Sequence, residues 1–90
     1  MNINRIIKYL VNEEKAQTVI FRKWNNGDVI ALFPEQKHGK YIGSYEHFDQ
    51  HGNADYNLVM NKTVPASQKE YADLKKELER IGYKLIIRDK

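Results

Sequence analysis

The chain has 90 residues, with 15 Lys+Arg against 12 Asp+Glu, three histidines and no cysteine, for a net charge of +3. At 41% hydrophobic and 30% charged it reads as one small globular domain, residues 1–90, with a modest core. These figures exclude a disulfide scaffold, a thiolate site, a large multi-step enzyme and a membrane span of about 18 apolar residues.

A cysteine-free chain fits the cytoplasm. Arg5, Lys8 and Glu13 interrupt the first apolar stretches, so no signal peptide is expected. Residues 3–11 place Ile3, Ile6, Ile7, Leu10 and Val11 on one helical stripe, with Asn2 as a possible cap. The β-branched content also permits a short strand over Ile6–Val11, so residues 2–12 are helix or strand, with the helix expected.

The clearest local signal is a hairpin. Gln17–Trp24 and Val29–Phe33 flank Asn25-Asn26-Gly27-Asp28, and Asn-Gly suits the two positive φ angles of a type I′ turn. A turn at Asn26-Gly27 sets Trp24 opposite Val29, Arg22 opposite Ala31 and Ile20 opposite Phe33. One face then carries Ile20, Arg22, Trp24, Val29, Ala31 and Phe33, and the other Val19, Phe21, Ile30 and Leu32. Both faces are apolar and need cover, by other layers or by a homodimer. Pro34 cannot donate to the ladder and is expected to end the second strand.

Glu35–Lys40 reads as a polar loop holding His38, and Tyr41–Phe48 as a third strand. Asp49–Asn53 is rich in turn formers, and Tyr56–Val64 follows as a fourth strand with Tyr56, Leu58 and Met60 on one side. Residues 67–81 form the best helix. Ser67 and Glu70 match a capping box, Tyr71, Leu74, Leu78 and Ile81 form the core stripe, Lys75 and Glu79 pair outside, and Gly82 ends it. Tyr83–Arg88 alternates as a final strand. The expected order is α-β-β-β-β-α-β: an α+β domain whose mostly antiparallel sheet of four to five strands carries a C-terminal amphipathic helix.

One stretch is chemically loaded. Residues 45–56 hold two imidazoles, three carboxylates and two phenols. Imidazole and carboxylate are ordinary ligands for Zn²⁺ and serve in acid–base catalysis. On an extended strand, however, His47 and His51 lie about 13 Å apart, too far for one ion. A solvated hairpin tip is the simpler reading, and recognition of a partner by the same side chains is the third. No glycine-rich phosphate loop and no nucleophile elbow occurs, so neither an enzymatic activity nor a cofactor is expected.

Charge is unevenly spread. Residues 1–24 and 59–90 each carry +3, and residues 25–58 carry −3. Arg22 and Trp24 on a strand, with Tyr41, Tyr45 and Tyr56 nearby, can stack on nucleobases as sheet-based binders do. Packing of Trp24 in the core is the competing reading.

The run Thr18-Val-Ile-Phe-Arg-Lys-Trp-Asn-Asn-Gly-Asp28 resembles one in small uncharacterised proteins of phages and mobile elements of gut Bacteroidales. So do Tyr45–Tyr56, with His47, Gln50-His51-Gly52 and Ala54-Asp55-Tyr56, and the run Glu70–Leu78. The resemblance implies a genetic setting in which compact accessory proteins bind a host or defence component; it transfers no functional residue. The expected function is therefore a binding module that grips a protein through a sheet face and the 45–56 loop. Its expected contacts are Arg22, Trp24, Tyr45, His47, Gln50, His51, Asp55 and Tyr56. The alternative is a nucleic-acid or nucleotide binder using Arg22, Trp24 and the basic C-terminal elements.

Overall fold

Gln17–Lys23 (β1) is apolar on both sides, and it becomes an interior strand of the sheet, paired with three others. The computed structural model describes residues 16–47 and 50–89; the expected N-terminal helix lies outside them. β1 pairs antiparallel with Val29–His38 (β2), which pairs with Tyr41–Glu46 (β3), which pairs with Gln50–Asp55 (β4). The helix Tyr56–Lys62 (α1), the two-residue strand Val64–Pro65 (β5), the helix Gln68–Ile81 (α2) and Leu85–Ile87 (β6) follow. β5 and β6 share the far side of β1, β5 antiparallel at Arg22–Lys23 and β6 parallel at Gln17–Val19. The fold is a small α+β domain with a largely antiparallel sheet, in the order β-β-β-β-α-β-α-β rather than the one expected.

The first hairpin closes differently from the two-residue turn. Trp24 N–H donates to the Asp28 carbonyl at 2.8 Å, and Gly27 N–H to the Trp24 carbonyl at 2.9 Å. Asn25-Asn26-Gly27 thus forms a three-residue loop with Gly27 at φ 94°, and Asn26 Oδ1 accepts from Asp28 N–H at 3.0 Å. The extra residue moves the register by one: Ile20 faces Leu32 and Phe21 faces Ala31. Every side chain of β2 changes its cross-strand companions as a result. Val19, Phe21, Val29, Ala31 and Phe33 now share the face under α2, with Tyr45, Tyr71, Leu74 and Leu78. Ile20, Ile30 and Leu32 share the opposite face with Ile42 and Val59, the latter from α1.

Pro34 interrupts β2 without ending it. The ladder pairs Phe33 with Gly43 and then Lys37 with Ile42, so Pro34, Glu35 and Gln36 bulge out of register. The bulge is tied back to β1. Glu35 Oε1 accepts from Thr18 N–H at 3.0 Å, and Gln36 Nε2 donates to Gln17 Oε1 at 3.3 Å. The Gln36 side chain lies across Gly43, where a Cβ would come within 2.2 Å of its Oε1.

The expected fourth strand, Tyr56–Val64, is mostly helix. Asp55 caps α1 by accepting from Leu58 N–H at 3.2 Å, and Tyr56, Val59 and Met60 turn a helical stripe onto the second core. Leu58, expected on one strand face with Tyr56 and Met60, is turned away from them and 54% exposed. The strand itself lies earlier, where turn formers predicted a loop: Gln50–Asp55 pairs with β3 at six successive positions.

The long helix behaves as its sequence predicts. Ser67 and Glu70 form the capping box, Gly82 ends the helix at φ 120°, and Lys75 and Glu79 pair at 3.3 Å. The Tyr71 ring stacks on Phe21 with centroids 4.3 Å apart. Ile81 departs from the expected stripe, being 45% exposed at the last turn.

Candidate functional site

Alternation on β3 and β4 sends Tyr45, His51 and Asn53 to the α2 side, and Ser44, Gln50 and Gly52 to the α1 side. Tyr45 is fully buried, and its hydroxyl donates to Glu77 Oε2 on α2. The other oxygen of Glu77 lies 2.9 Å from His47 Nδ1. One carboxylate therefore fastens the hairpin to the helix through both a phenol and an imidazole. The edge of the His51 ring meets Tyr45, with centroids 4.6 Å apart, and its Nε2 lies 3.1 Å from the Tyr83 hydroxyl. Tyr83 in turn stacks on Phe33. Burial pushes the Tyr83 hydroxyl above its ordinary pKa of 10.0, opposed by a hydrogen bond with Gln36.

These contacts divide the expected site residues into two sets. Tyr45, His47 and His51 come together on one side of the hairpin, and of the three only His51 is exposed. Gln50 lies at the hairpin end, exposed, opposite Glu46. There Asp28, Val29, Glu46, His47 and Gln50 line a small cleft of about 150 Å³. Asp55 caps α1 and sits 3.8 Å from Lys40 Nζ. Trp24 and Tyr56 are half-buried against the second core.

Arg22 is 6% exposed. Its guanidinium is committed to the Thr63 hydroxyl and carbonyl and to the Met60 carbonyl. Like Tyr45, it is inside the molecule and offers nothing to a partner. Each helix covers part of one sheet face, while Gln50, His51, Gly52 and Asn53 on β4 stay exposed.

Glu77 and Tyr83 belong to this constellation and were not among the residues singled out from sequence. Both flank the apolar stripe of α2, Glu77 just before Leu78 and Tyr83 just past Gly82, where only position relative to the stripe marks them. Among the described residues no group of three or more His, Asp or Glu is gathered as a metal site. No described helix is long and apolar enough to cross a membrane. No family model, curated protein or solved structure matches the chain.

Among the described residues no strand pairs with the outer edge of β4. It is the last strand of the sheet, and its register runs without a break from Glu46↔Gln50 to Tyr41↔Asp55. Alternate residues along such an edge aim N–H and C=O groups outward. Exposed edges are normally blunted by lysine, proline or a bulge; Gln50–Asp55 contains none of these.

Proposed function

We propose that the protein is a non-enzymatic binding module that takes an extended segment of a partner protein along the outer edge of β4. Main-chain hydrogen bonds supply the affinity in this mode, and side chains beside the new strand supply the selectivity. His51 and Asn53 select on the α2 side, and Gln50 on the other. In the genetic setting that the sequence resemblance implies, the partner is a host or defence protein met in the cytoplasm. The observation that carries this reading is the unblunted six-residue edge. Nucleic-acid recognition through Arg22 and Trp24 fits less well, because the guanidinium is buried and its Nε and Nη2 are bonded to Thr63 and Met60.

Gly52→Lys tests the reading. A Cβ at Gly52 meets only Ser44 Oγ, at 3.5 Å, so the fold accommodates the change. The lysine places a charge on the edge that discourages strand addition. A host protein captured by the wild-type chain and lost by this variant, at unchanged melting temperature, supports the edge as the site. Equal capture by both proteins overturns it.

A further inference from the structure

Among the described residues a second edge without a pairing strand lies across the sheet, at β6. The Lys84 carbonyl accepts from Gln17 N–H at 2.7 Å, and Arg88 N–H donates to the Val19 carbonyl at 2.9 Å. Lys84 and Arg88 therefore face β1, and by alternation Leu85 and Ile87 aim their N–H and C=O groups away from it. Ile86 and Ile87 are 54% and 38% exposed.

Beside this edge runs a cleft of about 550 Å³, walled by Ile87 on one side and by one flank of α2 on the other. Lys69, Lys75 and Lys76 stand on that flank with a single carboxylate, Glu79, which pairs with Lys75. Among the described residues Lys69 and Lys76 have no acidic partner. The cleft thus combines outward backbone groups, an exposed aliphatic side chain and two uncompensated cations.

We propose that an acidic peptide in extended conformation lies in this cleft, adding to β6 as a further strand and setting its carboxylates against Lys69 and Lys76. The backbone edge fixes the peptide's direction and the lysines fix its charge. A single-stranded nucleic acid fits less well: Tyr71, the one aromatic side chain in the cleft, is already stacked on Phe21 and offers no face to a base. This site is separate from the β4 edge and stands or falls independently of it.

The test uses the full chain and fluorescein-labelled peptides of about eight residues, long enough to span the edge. One alternates glutamate with valine, and another alternates lysine with valine. A labelled single-stranded oligonucleotide serves as the third probe. The glutamate peptide is expected to bind, more weakly as salt rises, and to slow hydrogen exchange at the Ile87 amide. The double variant Lys69→Ala/Lys76→Ala, which changes only exposed helix positions, is expected to weaken it about tenfold.

Failure of the glutamate peptide to bind, equal binding by the double variant, or preference for the lysine peptide or the oligonucleotide overturns the proposal. So does an Ile87 amide already protected in the free protein, which means that the chain itself or a second copy covers the edge.

Discussion

Arg22 and Thr63 are joined twice: Arg22 Nε donates to Thr63 Oγ1 at 3.0 Å, and Nη2 donates to the Thr63 carbonyl at 2.8 Å. Nη2 also reaches the Met60 carbonyl at 3.2 Å. The guanidinium fork closes the carboxy end of α1 onto β1, where helix carbonyls lack partners of their own. Thr63 completes the closure by donating its hydroxyl to the Val59 carbonyl at 2.6 Å.

Arg22→Ala leaves buried carbonyls unpaired and opens a gap under α1, and it is expected to cost about 3 kcal/mol. Arg22→Lys recovers only part of the loss, because one ammonium cannot span the same acceptors. Urea denaturation of the two variants reads both values. A loss below about 1 kcal/mol in Arg22→Ala contradicts the structural role.

Trp24 is half-buried against the second core, next to the loop it helps to close. Trp24→Ala is expected to lower stability by about 2 kcal/mol, less than for a fully buried indole, while Trp24→Phe keeps most of it. Thermal melting followed by circular dichroism distinguishes these outcomes. An alanine variant as stable as wild type makes the indole a surface group.

Gly27 sits at φ 94°, where an L side chain is strained, although nothing lies within 4 Å of its would-be Cβ. Gly27→Ala is expected to cost about 1 kcal/mol through backbone strain alone, without repacking of either core. Matched melting curves for wild type and variant overturn the assignment of a left-handed residue at the loop.

This loop shows where reading the sequence succeeds and where it stops. Asn26-Gly27 marks the place of chain reversal, but two- and three-residue loops both use such a pair. The choice between them rests on the Asn26–Asp28 bond and on packing across two layers. Ser67, Glu70 and Gly82 fix α2 locally, and fourteen helical residues give a clear period.

At seven residues α1 gives no such clarity: Tyr56-Leu58-Met60 alternates as well as Tyr56-Val59-Met60 turns. Only the cap at Asp55 favours the helix. The hairpin's histidines stand out in the chain, yet their partners Glu77 and Tyr83 come from some thirty residues away. Local pattern carries no such information.

The Glu70 carboxyl is held at a pKa of about 2 rather than its ordinary 4.5, first by hydrogen bonding to Lys23 and then by the Ser67 backbone and side chain. Its folded form binds a proton less readily than its unfolded form. The contacts with Lys23 and Ser67 therefore support stability fully above about pH 4.5 and lose that support as pH falls toward 2. Glu70→Gln is expected to flatten the dependence of melting temperature on pH across this window. An unchanged slope removes Glu70 as its source.

The placement of β1 also governs the order in which the molecule can be finished. It is made before each of its partners and meets β2 first, but its other margin is covered by β5 and β6, the last of which joins in parallel only after α2 has crossed back. Until residues 64–87 are made, the apolar strand lacks the cover of β5 and β6, an exposure that favours association. Slow translation of residues 68–87 would prolong that exposure, and aggregation during synthesis is the hazard this topology accepts.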